Sequence, residues 1–423
     1  MSWTIWMAVI VVILTVYALI KRYETRLVLL TAGFVMAILS MKPMVAFAQF
    51  DKSMTAGTLI IAICSAIGFA GVISLTKCDL HLVALLTRPL KRLGVLLLPG
   101  CCIVTALISI AIPSTAGCCA AVGPTLIPLM TRAGFRPSIA AAAVVGSVTP
   151  ALVNPGVSHN VFVSKLAGMD VMTFITNFYP YTLGLTLTGV VLLTLVCFMY
   201  KDYKKGGFAL TGENAHVAHA ELPDHPNILF AIAPLVPVAL LIIFSLYVPG
   251  VKMSVATAML IGSFYALVIT RSNPAEVTKR FFDGMGKGYA NILGIIIAAG
   301  VFAAGLRAAG VVDAFVQYLT HAQSIAKFGG AIGPYLLGIL TGSGDAAAFA
   351  FNEAVTPHAA EFGMTIENLG YLAAIGGNFG RLSSPLCGGL ILVAGIAQVS
   401  PVEIAKRTAP VMFCLLALSL ILL

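Results

Sequence analysis

The side chains best placed to do chemistry are a few ionisable residues embedded in otherwise apolar sequence. Arg381 follows a glycine-rich run, Asp345 follows the polar run 341–344, and Glu353 comes eight residues later. A guanidinium inside a bilayer is costly unless it is paired, and its planar fork matches a carboxylate. Arg381 is therefore expected either to bind the carboxylate of a ligand or to pair internally with Asp345 or Glu353.

Three ionisable residues are candidates for coupling transport to protons or cations. An ionisable residue at membrane depth is a functional candidate by default, so Asp345 and Glu353 are candidates for ion coupling. His159 is a third candidate because imidazole titrates near physiological pH. The structural alternatives are solvent exposure for Asp345, a hydrogen bond that orients its helix for Glu353, and hydrogen-bonded packing for His159.

Neutral hydrogen-bonding groups cluster at four glycine- and proline-rich interruptions, at residues 113–117, 149–156, 341–345 and 378–385. A broken helix leaves backbone amides or carbonyls free, and its N-terminus carries partial positive charge suited to a carboxylate. The residues predicted to contact a substrate are Ser114, Thr115, Asn154, Thr341, Ser343, Asn378, Arg381, Ser383 and Ser384. A sodium ion is a candidate ligand near Ser114, Thr115, Gly156 and Ser343. The alternative is that small residues merely let membrane helices pack closely.

The composition places these groups in a membrane protein. The 423 residues are 59% hydrophobic and 10% charged, whereas soluble domains carry about 25% charged residues. The net charge of +9 lies mainly in short loops between apolar runs, a pattern that orients a chain in a membrane rather than binding nucleic acid. The first apolar run, residues 3–20, lacks a basic start and a cleavage site, which predicts a retained span.

The order of features repeats along the chain at one constant separation, which we call the repeat spacing. It separates Gly146 from Gly376, Pro155 from Pro385, and Pro180 from Pro410, each placed at a break or start of an apolar run. This repetition predicts an all-α polytopic protein of two repeats, residues 1–200 and 227–423, joined by a cytoplasmic linker at 201–226. Each repeat is predicted to hold a re-entrant hairpin, at about 101–131 and 333–363, and a broken helix, at about 138–168 and 366–398.

The hairpin arms are too short to span the bilayer, since residues 103–113 as a helix cover only about 16 Å. Each repeat then crosses five times, and this odd number inverts the second repeat. With both termini periplasmic, the cytoplasmic segments hold 18 of the 25 Lys and Arg residues, as the positive-inside rule requires. Inverted repeats with discontinuous helices are the architecture of secondary transporters.

The second half also resembles a known family. The resemblance lies in Thr341-Gly342-Ser343-Gly344-Asp345-Ala346, in Phe349-Ala350-Phe351 with Glu353, in Asn378-Phe379-Gly380-Arg381 with Ser384-Pro385, and in the tail 394–408. These runs resemble the type C branch of the anaerobic four-carbon dicarboxylate carriers, within the ion transporter superfamily. The resemblance implies an inner-membrane secondary carrier that moves by an elevator-like motion and uses an ion gradient or exchange. It also implies no cofactor, and related carriers often form homodimers.

The residues predict a secondary active transporter of small organic anions, coupled to sodium or protons or working by exchange, and the resemblance implies the C4-dicarboxylates succinate, fumarate and malate as its substrates. A carrier of another carboxylate from the same superfamily is the first alternative, and a passive anion channel is the second. An intramembrane enzyme using His159 and Asp345 is the third, but no metal-ligand spacing or nucleophile motif supports it. The expected partners are the substrate and the lipid bilayer.

Overall fold

The computed structural model describes residues 3–21, 23–87, 96–204, 223, 225–247, 253–312, 314 and 323–423. The described residues form helices and short 3-10 or π turns, with no strand among them beyond one isolated bridge between Phe135 and Tyr203. Most of the predicted linker at 201–226 lies outside the described residues. The fold is therefore all-α, as the sequence predicts.

The first half is built from helices α1 to α10, which are Trp3–Ile20, Thr25–Leu39, Pro43–Met54, Gly57–Thr76, Cys78–Thr87, Leu97–Ala111, Thr115–Arg132, Pro137–Gly146, Ser158–Leu166 and Val171–Met199. A 3-10 turn, Thr149–Val153, lies between α8 and α9. We call α6 and α7 hairpin 1, and residues 147–157, between α8 and α9, break 1.

The second half is built from α11 to α20, which are Ile228–Ile232, Val236–Tyr247, Val255–Thr270, Pro274–Gly288, Gly294–Ala308, Gln323–Thr341, Gly344–Ala354, Ile366–Leu382, Gly388–Ala397 and Pro401–Leu422. A π turn, Tyr289–Leu293, joins α14 to α15, and a 3-10 turn, Thr356–Phe362, follows α17. We call α16 and α17 hairpin 2, and residues 383–387, between α18 and α19, break 2.

Several helices begin where sequence rules place a cap. The hydroxyls of Ser114, Ser254, Thr365 and Ser400 each accept a hydrogen bond from a backbone N–H in the first turn of the helix that follows. Such a cap satisfies one of the amides left open at a helix start. Proline stands in the first turn of α3, α8, α14 and α20, where its missing N–H costs nothing.

Among the described residues, four helical stretches are long and apolar enough to cross a membrane, namely Pro137–Leu166, Val171–Met199, Pro274–Ala308 and Pro401–Leu422. A fifth results if Ile60–Thr76 and Cys78–Leu86, which meet at 76°, form one broken span. Six further apolar helices of 10–17 residues accompany them. The protein is thus a multi-pass membrane protein.

Three details differ from the sequence prediction. Pro180 and Pro410 lie inside α10 and α20 rather than at the starts of these helices, because the loss of one backbone hydrogen bond is tolerated in a packed membrane helix. The predicted break at 378–385 begins only at Ser383, because α18 continues to Leu382. Helices α3 and α14 were not anticipated as separate elements.

The glycines of α18 explain why that helix continues through a glycine-rich run. A Cβ added to Gly377 would lie 2.5 Å from the carbonyl oxygen of Gly344, and Gly376 and Gly380 are pressed equally closely against the backbone of α16. Small residues that let helix backbones approach are typical of membrane proteins. For these glycines the packing alternative is correct.

Two large hydrophobic clusters hold the helices together. One joins hairpin 1, α8 and α10 to α18, α19 and α20, and the other joins α2 and α4 to α13 and α15. Backbone contacts tighten the second cluster, since Gly33 of α2 lies against α15 and Gly68 of α4 lies against α14. Each cluster therefore draws helices from both halves of the chain.

Candidate functional site

The tip of hairpin 2 places Asp345 in the first turn of α17. Gly342 precedes it with φ +72, and a Cβ at this position would lie 2.7 Å from the carbonyl oxygen of Leu386. Glycine is the residue that adopts this backbone conformation without strain and leaves room for the neighbouring chain. The tip is thereby seated on break 2, next to the end of α18.

Asp345 has two basic neighbours on the same oxygen. His159 Nε2 lies 2.9 Å from Asp345 Oδ1, and Arg381 Nη1 lies 3.4 Å from the same atom. The His159 side chain is 7% exposed, that of Arg381 is 23% exposed and that of Asp345 is 36% exposed. The three residues come from α9, α17 and α18, so this ionic cluster joins break 1 to hairpin 2.

Neighbouring groups hold both basic side chains in place. Arg381 Nε donates a hydrogen bond to Asn378 Oδ1 at 3.1 Å, one turn earlier on α18. The His159 ring stacks on Phe349 with ring centroids 4.4 Å apart. His159 Nδ1 is buried and has no hydrogen-bond partner among the described residues. The imidazole is therefore oriented by its contact with Asp345 and by ring stacking.

Break 1 is fixed to hairpin 1 by one amide side chain. Asn154 Nδ2 donates to the carbonyl of Ile110 at 2.6 Å, and Asn154 Oδ1 accepts from the N–H of Gly156 at 2.7 Å. Asn160 donates to two carbonyls of the same break, those of Leu152 and Asn154. Both ends of the Asn154 amide are engaged within the protein.

Break 2 is fixed to hairpin 2 in the same manner. Ser384 Oγ donates to the carbonyl of Ile339 at 2.6 Å and accepts from the N–H of Leu386 at 3.2 Å. Ser384 and Leu386 follow Asn154 and Gly156 at the repeat spacing. The two breaks therefore share one hydrogen-bonding arrangement, made with an amide in one half and a hydroxyl in the other.

Most of the other predicted hydroxyls bond to their own backbone. Thr341 Oγ1 donates to the carbonyl of Leu337 and accepts from the N–H of Ser343, while Ser383 Oγ donates to the carbonyl of Phe379. Ser114 caps α7, and Thr115 is buried against Gly389 of α19. The side-chain hydroxyls of Thr115 and Ser343 have no hydrogen bond within the described part of the chain.

The four residues named for sodium are not joined by hydrogen bonds in the part of the chain described. Ser114 and Thr115 belong to hairpin 1, Gly156 packs on Ala66 of α4, and Ser343 precedes α17. The described residues also contain no group of three or more His, Cys, Asp or Glu side chains that could hold a metal ion.

Glu353 lies apart from the ionic cluster. Eight residues of helix separate it from Asp345 by about 12 Å. Its Oε1 accepts a hydrogen bond of 3.4 Å from Gln49 Nε2 of α3, and its backbone carbonyl accepts one from Arg307. Of the two internal partners expected for Arg381, the structure shows Asp345 and not Glu353.

A second ionic cluster was missed by the sequence analysis. Asp202 is fully buried and accepts two hydrogen bonds from Arg407, at 2.6 Å from Nε and 2.9 Å from Nη2. Arg136 Nε lies 3.5 Å from the same carboxylate. The one available signal was an acid in the otherwise basic run 201–205, which alone does not identify a partner 205 residues away.

A cavity of about 460 Å³ adjoins hairpin 1. Its walls are hairpin 1, the bend between α4 and α5, and one face of α14. Its charged lining residues are Asp79, Arg280, Asp283 and Lys287. None of these four was singled out individually, because basic residues in α14 resemble the loop charges that merely orient a membrane protein.

The sequence is similar to those of known membrane transporters, in agreement with the multi-pass fold. The sequence profile of the C4-dicarboxylate anaerobic carrier family, DcuC, matches residues 4–423. An uncharacterized transporter of Haemophilus influenzae is 44% identical over 265 residues, which cover 61% of this chain and 95% of that protein. The anaerobic C4-dicarboxylate transporter DcuC of Escherichia coli K12 is 26% identical over 369 residues, covering 84% of this chain and 77% of that protein.

A solved structure supports the fold. The YdaH transporter of Alcanivorax borkumensis superimposes with a TM-score of 0.65 at 14% sequence identity, covering 89% of this chain and 86% of that chain. At this identity the likeness concerns the fold alone. Because the family profile spans nearly the whole sequence, the chain belongs to the C4-dicarboxylate anaerobic carrier family, and it is a transporter of the bacterial inner membrane rather than an enzyme.

Proposed function

We propose that the protein is a secondary active transporter that carries small organic anions, first of all C4-dicarboxylates such as succinate, fumarate and malate, through a site centred on Arg381. The observation that carries this proposal is the contact between Arg381 and Asp345. Its 3.4 Å length is long for a charge-assisted hydrogen bond. The Arg381 guanidinium is also oriented by Asn378 and partly exposed. A substrate carboxylate can replace that of Asp345 on this guanidinium.

The same contact suggests how an ion is coupled to transport. When a substrate carboxylate occupies Arg381, Asp345 loses one of its two basic partners while negative charge is added to the site. Unpaired charge at membrane depth costs several kcal/mol, so binding of a proton or a sodium ion beside Asp345 becomes favourable. His159, which contacts Asp345 Oδ1, is positioned to stabilise Asp345 both with and without the bound proton or sodium ion. We propose Asp345 and His159 as the coupling residues, in symport or in exchange.

The proposed architecture is a pair of inverted repeats with both termini periplasmic. The starts of helices α7, α8, α9 and α10 recur in α17, α18, α19 and α20 at nearly the repeat spacing. Asn154 and Ser384 stand at equivalent positions in the two halves, and each donates a hydrogen bond to the hairpin of its own half. These correspondences support a duplicated half, and the loop charges support the orientation.

The remaining predicted residues have supporting roles in this proposal. Thr115 and Ser343 have hydroxyl groups without a hydrogen bond in the described structure, so they are the candidates for direct contact with substrate or sodium. Ser114, Asn154, Thr341, Ser383 and Ser384 shape the helix ends that surround the site. The partial positive charge of the α7 and α17 N-termini adds to that of Arg381.

The test is uptake of radiolabelled succinate into proteoliposomes under an imposed sodium or proton gradient. We expect gradient-driven accumulation by the unaltered protein. Arg381→Ala is expected to lose about 2 kcal/mol of substrate binding, or roughly 30-fold in affinity. Asp345→Asn is expected to retain exchange of internal for external substrate but to lose accumulation driven by the gradient. Arg132→Ala, a change of an exposed basic residue at the end of α7, is the control.

The outcomes separate the alternatives. Flux of another carboxylate in a competition panel, without succinate flux, would keep the site and change the substrate. Flux that never saturates and never exceeds the substrate gradient would favour a passive channel. Normal affinity in Arg381→Ala would contradict the assignment of the site.

A further inference from the structure

The cavity beside hairpin 1 has three of its four charged lining residues on one wall, which is α14. Arg280, Asp283 and Lys287 line the cavity and follow one another at spacings of three and four residues. This spacing puts all three on one face of the helix, with about 10 Å of helix between Arg280 and Lys287. All three side chains are exposed. None of them forms a salt bridge with another described residue.

The opposite wall has one acid, Asp79, and backbone groups of α5 stabilise its charge. Asp79 lies in the first turn of α5, and its Oδ1 accepts a hydrogen bond of 2.9 Å from the N–H of Leu80. A carboxylate at a helix N-terminus interacts favourably with the helix dipole. The α14 wall has a net charge of +1, from Arg280, Lys287 and Asp283, and the Asp79 charge opposite it is offset in part by the α5 N-terminus, so the α14 side of the cavity is positive.

The rest of the cavity lining contributes further partial positive charge. The cavity reaches the start of α7, where Ser114 and Gly117 line it, and a helix start carries partial positive charge. The cavity also reaches Ile67 of α4, the neighbour of Ala66, against which Gly156 of break 1 packs. It therefore extends from the charged face of α14 to the tip of hairpin 1, and Ala111 of its lining follows Ile110, whose carbonyl accepts the hydrogen bond from Asn154 of break 1.

We propose that this cavity is an anion-collecting entrance on the hairpin 1 side of the transporter, in which Arg280 and Lys287 draw small carboxylates towards the tip of hairpin 1. A cavity with low-dielectric walls focuses the field of such charges and raises the local anion concentration. This inference rests on the proposed function in that the cargo is an anion. It adds a second cationic region, on a helix that does not carry the Arg381 site.

A thiol-labelling experiment tests the entrance without relying on transport. Ala120 is exposed and lines the cavity, and eight of the nine native cysteines are buried while Cys414 is exposed. Ala120→Cys in a Cys414→Ser background is therefore a single reporter. Its rates of reaction with an anionic and with a cationic methanethiosulfonate reagent would be compared in the purified full-length protein.

We expect the anionic reagent to react faster relative to the cationic one. Arg280→Ala with Lys287→Ala should lower this ratio roughly 3- to 10-fold at low salt, and high salt should remove the difference. Asp283→Asn should raise the ratio. Lys279→Ala is the matched control, because Lys279 is an exposed neighbour on α14 that does not line the cavity.

The labelling experiment and the transport experiment can contradict the two proposals independently. A ratio unchanged in the double variant, or lowered equally by Lys279→Ala, would overturn the entrance even if succinate is transported. If the ratio behaves as expected, the double variant should also raise KM for substrate on that side several-fold with little change in maximal rate. Absence of all carboxylate transport in the unaltered protein would instead refute the proposed function, with the labelling ratio still deciding whether the cavity attracts anions.

Discussion

The two hairpins are alike in backbone and unlike in charge. Each is fixed to a break by a side chain that donates to a hairpin carbonyl and accepts from an amide two residues later, Asn154 in one half and Ser384 in the other. Among the described residues, the ionic cluster at hairpin 2 has no equivalent at hairpin 1. In the other half of the chain, the positions that match Asp345, Arg381 and His159 at the repeat spacing are occupied by Thr115, Ala151 and Gly389.

The difference distinguishes features that are required at both helix breaks from features that are required at only one. A helix break inside a membrane needs partners for its free backbone groups wherever it occurs, so the hydrogen bonds recur in both halves. In the proposed function, one set of charges binds the anion and couples the ion, so it is needed at a single place. Hairpin 1 keeps a neutral tip, and the charges near it stand across the cavity on α14.

The hairpins also differ at their bases, and the largest effect is expected there. The turn between α7 and α8, at the base of hairpin 1, adjoins the buried pair of Asp202 and Arg407. Arg407→Ala leaves the Asp202 carboxylate without its main partner, which should cost about 3–5 kcal/mol of folding free energy. The loss of stability would be measured by thermal unfolding in detergent, in which a thiol-reactive dye reports the exposure of the eight buried cysteines.

Two controls make this result specific. Lys406→Ala removes an exposed pair with Glu403 and should change stability by less than about 1 kcal/mol. Asp202→Ala combined with Arg407→Ala should recover part of the stability lost in Arg407→Ala, because no buried charge is then left alone. An Arg407→Ala protein as stable as Lys406→Ala would show that the pair does not hold the base of hairpin 1.

A smaller effect tests whether the two breaks are equivalent. Asn154→Ala and Ser384→Ala each remove the bond between a break and its hairpin, at a cost of about 1 kcal/mol in stability. Similar losses in the same labelling assay would support a duplicated arrangement. Ser419→Ala, which removes a hydroxyl bonded within its own helix, is the control. A loss confined to one of the two breaks would mean that the repeated hydrogen bonds are not energetically equivalent.

The sequence was informative where backbone chemistry decides the structure. Proline, glycine and hydroxyl residues at 113–117 and 341–345 indicated helix ends because apolar sequence cannot leave amides open in lipid. The same reasoning extended break 2 too far towards the N-terminus. Glycine permits both a break and a close helix contact, and only the facing helix, here α16, determines which one forms.

The pairings of charged residues could not be predicted in the same way. His159 and Asp345 are 186 residues apart, and Asp202 and Arg407 are 205 apart. Spacing along the chain carries no information about such contacts, because they depend on how whole helices pack. The sequence identified His159, Asp345 and Arg381 separately, and for Arg381 it left substrate, Asp345 and Glu353 open as partners.

The smallest effect should come from the second acid of hairpin 2. Glu353 was a coupling candidate because it is an ionisable residue in apolar sequence, but its side chain meets Gln49 of α3 at 3.4 Å and lies away from His159 and Arg381. An amide can take part in the same hydrogen bond. Glu353→Gln should therefore leave ion-driven uptake within about twofold of the unaltered protein, in keeping with a stability change of a few tenths of a kcal/mol.

The informative comparison is with Asp345→Asn, since both changes replace one acid of α17 by its amide. If ion coupling depends on the cluster formed by Asp345, His159 and Arg381, only Asp345→Asn should abolish accumulation under a gradient. Loss of accumulation in Glu353→Gln with normal exchange would move the coupling site to the interface between α17 and α3. Hairpin 2 would then couple ions through its contact with α3, and the charge at its tip would serve substrate binding alone.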